Sequence, residues 1–169
     1  MKDKTMKIAF KSTLAAVSLG LVTALSTGST LQAQSYRTVS AVPDVYVVMF
    51  RADWCAPCKV VEPRLSQALR NLHDSRIEYV NIDISGNQSA WNANAVFDRG
   101  IVDQYNKWMG ITGFAAVIDG DTKRTLGCLN INYDTNAMAT HIRNLQGQAQ
   151  RNQQTFDVTC PASNQPGYG

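Results

Sequence analysis

The chain has 169 residues, 44% of them hydrophobic, with 16 Lys/Arg against 13 Asp/Glu and a formal charge of +3. A chain of this length can bury one apolar core without help from a structural metal. The cationic excess sits at the start. Of the 16 basic and 13 acidic residues, Lys2, Lys4, Lys7, Lys11 and Asp3 lie in the first 33, leaving twelve of each sign. That balance excludes the clustered Lys/Arg face that a nucleic-acid groove or an anionic membrane surface requires.

In chain order, those four lysines precede an apolar stretch from Leu14 to Leu25, and Leu31-Gln32-Ala33 offers a small residue for cleavage before Gln34. Residues 1–33 are therefore expected to be a secretory signal peptide, placing the rest of the chain in the periplasm or outside the cell. The apolar run is shorter than the roughly 20 residues that span a bilayer, so an N-terminal membrane anchor is the lesser alternative. No cysteine follows it to carry a lipid. Residues 34–150 read as one domain and 151–169 as a Gln/Asn-rich C-terminal tail.

The strand-like run Tyr46–Phe50 leads into Trp54-Cys55-Ala56-Pro57-Cys58-Lys59, which opens a helix-like run. Between Ala56 and Leu72, Val61, Leu65, Ala68, Leu69 and Leu72 recur at three- and four-residue intervals and form one apolar helical face. Two cysteines three apart at the first turn of a helix can close a small disulfide. The unpaired amides and dipole of the helix start stabilise a thiolate on the first sulfur. Cys55 is the expected attacking thiolate and Cys58 the resolving thiol. Ala56 and Pro57 shape the turn, Pro57 at a position where a missing N–H costs little, and Trp54 can shield the exposed side. The same spacing serves zinc or an inert bridge. A structural zinc site needs about four ligands, and the only histidines, His73 and His141, show no ligand spacing to the pair. No metal or other cofactor is therefore expected, and both histidines read as structural or surface groups.

Farther along, Ile77–Ile84 reads as a mostly buried strand, while Val96, Phe97, Ile101, Tyr105, Trp108 and Met109 predict a second helix. Phe114–Ile118 is a short apolar strand turned by Asp119-Gly120-Asp121. Asp134 or Thr135 caps a last helix whose inner face carries Met138, Ile142 and Leu145. This alternation argues for a single α/β domain with helices on both faces of a sheet. In an oxidising compartment an even number of cysteines commonly pairs, which makes Cys128–Cys160 a candidate second disulfide. The stretch from Gln150 to Cys160 can reach roughly 30 Å, about the length of the helix before it, and so can return to that helix's far end. The bridge then either orders a loose tail or takes part in gating or relaying electrons.

Over roughly residues 45–148 the chain resembles the thioredoxin superfamily. Tyr46–Phe50 looks like its central strand, Arg51–Trp54 the approach to the site, Pro63 its proline after the second cysteine, and Val80–Asp83 its next strand. Gly110–Asp121 and Leu126–Leu129 look like the closing hairpin, with Gly127 at the family's glycine beside the active site. Trp-Cys-x-Pro-Cys in this order is a specific signal. The resemblance implies a thioredoxin-like three-layer α/β/α sandwich around a central mixed sheet. It also implies exchange of electrons with protein thiols and disulfides through Cys55–Cys58, with a membrane electron donor or acceptor completing the cycle. In that topology Gly127 and Cys128 lie close to the redox site, so a Cys128–Cys160 bridge clamps the tail beside it.

Three features depart from the family. The buried acid six residues before the first cysteine is Met49 here, and its lysine partner maps to Tyr79; both read as core packing. The cis-proline opposite the disulfide has no counterpart: alignment puts Thr112 there, or alternatively Ala115. A cis bond before a non-proline residue costs about 2.5–4 kcal/mol, so a trans 111–112 peptide is expected. Thr112 can then turn its hydroxyl toward Cys55. Finally, an insertion of roughly 14 residues precedes the hairpin, within residues 84–106, with Trp91 in a polar run that anchors its own loop or meets a partner. The family's first helix is expected to be absent, since only Tyr36–Asp44 precede the central strand. Three functional classes follow: an exported thiol–disulfide oxidoreductase, a binding or chaperone module with a static bridge, and a metal-handling protein using the exposed cysteine pair. No heptad or apolar stripe calls for self-association, so a monomer is expected.

Overall fold

The structure, a computed structural model, describes residues 42–86, 89–153 and 159–163, all within the compact unit Thr38–Gly169. The expected signal peptide and most of the segment before the central strand lie outside the described residues.

The first strand, β1 (Val45–Arg51), is buried from Val45 to Phe50. An unbroken apolar run of this kind suits a strand covered on both faces, because successive side chains point to opposite sides. Val45, Val47 and Met49 join one core cluster, and Tyr46, Val48 and Phe50 the other. β1 pairs in parallel with β2 (Ile77–Asp83) and antiparallel with β3 (Phe114–Asp119), which pairs antiparallel with β4 (Thr125–Leu129). The resulting mixed sheet has the order β2-β1-β3-β4.

Helix α1 (Cys58–Leu72) makes the crossover that a parallel β1–β2 pair requires. It packs beside the last helix on one face of the sheet, through Val61, Leu65 and Ala68 against Met138, Ile142 and Leu145. The opposite face is covered by Val96 of α2 (Ser89–Phe97) and by Ile101 and Trp108, which flank α3 (Val102–Lys107) at its two ends. This is the three-layer, thioredoxin-like α/β/α arrangement expected. The last helix, α4 (Thr135–Gln150), is capped by Asp134, whose Oδ1 accepts the Ala137 N–H at 2.8 Å. His73 ends α1 in the left-handed conformation (φ 47°), donating its N–H to the Leu69 carbonyl at 3.2 Å.

Two expectations need correction. The predicted second helix is two short ones, because Gly100 (φ 66°) ends the first. The Gly100 N–H donates to Phe97 and the Ile101 N–H to Val96, both at 3.1 Å, which are the paired bonds of a Schellman turn. Val96 and Ile101, five residues apart, remain buried together across the turn. β2 is not mostly buried: among the described residues it lies at the edge of the sheet, only its Val80 and Ile82 are fully covered, and Tyr79 is 45% exposed. Among the described residues no helix is long and apolar enough to cross a membrane.

Because Asp134 and not Thr135 supplies the cap, Asp134→Ala should lower unfolding free energy by about 1 kcal/mol. Thr135→Ala should stay within about 0.5 kcal/mol of the parent. Urea midpoints of the two variants measure this directly, and equal losses would reassign the cap.

Candidate functional site

The site forms where β1 stops. Ala52 is buried, and its carbonyl accepts the Cys55 N–H at 3.1 Å, which closes a turn that delivers both cysteines to the start of α1. Cys55 and Cys58 are joined by a disulfide, with Cα atoms 5.3 Å apart. The Cys58 N–H donates to the Cys55 sulfur at 3.1 Å. Pro57 has no N–H to offer, and its carbonyl accepts from Val60 and Val61, each at 3.0 Å. A backbone amide of the helix start is thus aimed at the Cys55 sulfur, as a site that stabilises a thiolate there would require. The Cys58 sulfur lies 3.9 Å from the Phe50 carbonyl oxygen. Both cysteines are nearly covered, Cys55 at 3% and Cys58 at 1% exposure, while Trp54 (66%), Ala56 and Pro57 face outward.

The segment opposite the disulfide is Ile111–Gly113. No peptide among the described residues is cis, the 111–112 bond included. Gly113 is the residue pressed on the pair: its N–H donates to the Phe50 carbonyl at 2.9 Å, and its φ is 91°. A Cβ there would sit 2.8 Å from the Pro57 Cβ and 3.4 Å from the Cys55 sulfur. Thr112 is the half-buried residue just before this contact, and Ala115 lies inside β3 opposite Met49. Alignment looked for a side chain at this place, whereas the close approach depends on having none.

The other predicted residues lie elsewhere. Gly127 pairs with Val117, three positions from Phe114, so it is roughly 10 Å along the sheet from the end that holds the disulfide. The Cys128–Cys160 disulfide is formed, with Cα atoms 4.8 Å apart. It does not clamp the tail beside the redox pair. Cys128 belongs to the cluster on the α2/α3 face, whereas Cys55 and Cys58 belong to the cluster on the α1/α4 face, and the sheet separates them.

Met49 is fully buried in the cluster that contains both redox cysteines, so the position of the family's acid carries a thioether. Tyr79 is not core packing. It borders an exposed groove with Glu62, Ser66, Leu69, Arg70 and His73, where burial and then the Glu62 charge raise its pKa against the opposing effect of Arg51.

Arg51, in the sequence only part of the approach to the site, is the centre of a charge network. Its guanidinium meets Asp53 at 2.6 Å, Glu62 at 2.7 Å, and Asp83. These contacts tie the loop before Trp54 to α1 and β2. Ser85 adds to the tie: its hydroxyl accepts the Asp53 N–H at 2.7 Å and donates to Asp83. Alternating burial cannot reveal such a network, because its members come from three elements. Among the described residues no group of three or more His, Cys, Asp or Glu side chains is placed to hold a metal.

Burial works against ionisation of Asp83, but hydrogen bonds from Ser85 and the charge and hydrogen bond of Arg51 outweigh it and lower its pKa. A carboxylate with a depressed folded pKa contributes stability above its unfolded value, near 3.9, and loses it as pH falls through the folded value. Asp83→Asn should therefore cost on the order of 1 kcal/mol at pH 7, and the gap to the parent should close as pH falls below about 4. Urea unfolding across that range checks the sign; a gap that widens in acid contradicts it. Gly113→Ala should cost about 1–2 kcal/mol from its backbone conformation alone, read as a lowered urea midpoint, and an unchanged midpoint contradicts it.

A family model described as Thioredoxin matches residues 28–98, less than half of the chain. Among curated proteins, the chain is similar to Thioredoxin H8 of Arabidopsis thaliana, 40% identical over 45 residues, a stretch that is 27% of this chain and 29% of that protein. The match thus spans less than a third of that relative's length. These findings support the thioredoxin superfamily, and with the Cys55–Cys58 disulfide they suggest thiol–disulfide redox chemistry.

Proposed function

We propose that this protein is an exported thiol–disulfide oxidoreductase that exchanges electrons with protein dithiols and disulfides through Cys55–Cys58. The observation that carries the reading is the Cys58 N–H aimed at the Cys55 sulfur from the start of α1. It favours charge on Cys55 and makes the two sulfurs chemically unequal. In the reducing direction, the Cys55 thiolate attacks a substrate disulfide, forming a mixed disulfide and releasing one substrate thiolate. Cys58, losing its proton, then attacks Cys55 and expels the second substrate thiolate, leaving the enzyme oxidised and the substrate reduced by two electrons. The oxidising direction reverses these steps. Exposed Trp54 and Pro57 flank the pair and offer an apolar seat for a substrate chain.

Export is supported by the lysine-led apolar stretch of residues 1–33 and by the use of all four cysteines in disulfides. A membrane electron donor or acceptor would then return the pair to its starting state. A second reading, a binding module with a static bridge, draws on the near-complete cover of both sulfurs.

Turnover of an insulin-type disulfide with a dithiol reductant separates the two. The oxidoreductase should accelerate it, Cys55→Ser should abolish the acceleration, and Cys58→Ser should accumulate a mixed disulfide on Cys55 visible by mass. A parent protein that neither turns over nor equilibrates with glutathione overturns the proposal in favour of the static bridge.

A further inference from the structure

We infer that Trp108 is a positioning residue for the disulfide chemistry, held by the chain segment around Cys160 and holding in turn the Gly113 loop against Cys55. The role in chemistry rests on the redox reading above; the mechanical coupling does not.

Trp108 is fully buried, the largest such side chain described. Its Nε1–H donates to the Pro161 carbonyl at 3.0 Å, one residue beyond Cys160. That segment is sewn down on both sides. Cys160 is bonded to Cys128, and the Thr159 hydroxyl accepts the Cys128 N–H at 3.0 Å while donating to the Cys128 carbonyl at 2.9 Å. The Ser163 hydroxyl donates to the Lys107 carbonyl at 3.3 Å. The acceptor for the indole is therefore set by the second disulfide.

On its other side the indole meets two rings edge-on, Phe50 at 5.8 Å and Phe114 at 5.4 Å, and these two stack on each other at 5.0 Å. Their backbones frame the redox pair. The Phe50 carbonyl accepts the Gly113 N–H, and Phe114 is the residue that follows Gly113. Gly113 has no side chain to hold its place and adopts a conformation that only glycine enters freely. Its position against the Cys55 sulfur must then come from its neighbours, and the aromatic pair braced by Trp108 is the rigid one. Loosening the brace lets the loop leave the sulfur, which changes both access to Cys55 and the relative stability of thiolate and disulfide.

The test compares full-length Trp108→Phe, which keeps a ring but loses the N–H, with a Cys128→Ala/Cys160→Ala double variant, which keeps Trp108 but releases its acceptor. Two quantities are read: the hydrogen-exchange rate of the Gly113 amide relative to that of Val47, and the equilibrium of Cys55–Cys58 with a glutathione couple, by alkylation and peptide mass. The expected result in each folded variant is a rise of at least tenfold in the exchange ratio and a shift of at least threefold in the equilibrium constant. A merely structural tryptophan would speed both amides together and leave the equilibrium unchanged. An unchanged ratio overturns the inference, as does a changed ratio with an unchanged equilibrium. Should Trp108→Phe fail to fold, the double variant decides. If the parent pair does not exchange with glutathione at all, the oxidoreductase reading falls, and the exchange ratio alone decides the coupling.

Discussion

Water reaches neither face of β1, and this imposes most of what surrounds it. A strand buried on both faces must find backbone partners on both edges and an apolar layer for each row of side chains. β2 and β3 supply the edges, α1 with α4 one layer, and α2 with α3 the other. The chain leaves this environment at Arg51, and within seven residues it has turned and begun a helix at Cys58. The Cys55–Cys58 pair therefore sits at the junction between a strand buried on both faces and a helix packed on one of them.

At that junction polar and apolar groups are sorted by side. Met49 shares the core cluster of the pair, so in the proposed exchange no carboxylate stands at that position to take a proton from Cys58. The charges instead form a ring outside, where Arg51 binds Asp53, Glu62 and Asp83. That ring holds the approach loop to α1 and β2 without placing a charge against the sulfurs. The hydrogen bond described at the Cys55 sulfur comes from the Cys58 backbone amide.

The second disulfide works on the other face. By fixing Thr159 across Cys128, it lays side-chain hydrogen bonds on the outer edge of β4, an edge that would otherwise present bare backbone groups to other chains. The two disulfides cannot exchange directly through a packed sheet. Communication between them runs through aromatic packing, from Pro161 through Trp108 to Phe50 and Phe114.

Local chemistry made part of this molecule legible in advance. The Trp-Cys-Ala-Pro-Cys junction and the apolar face of α1 each depend on residues within a few positions of one another, so spacing alone identifies them; for the last helix it left the cap open between Asp134 and Thr135. The break at Gly100 was hidden because Phe97, Ile101, Tyr105 and Trp108 keep four- and three-residue intervals through the turn, although Phe97 itself is exposed. Gly113 was hidden because its contribution is an absent side chain, which no search for a functional group detects. The face taken by Cys128 was undetermined for a different reason. In a strand, one step of register moves every side chain to the opposite side, and the pairing of Cys128 with Ala116 exists only once β3 and β4 have met. Sequence by itself determined which bonds and helices could form; tertiary structure decided which side of the sheet each would occupy, because facing is a property of paired strands and not of any one of them.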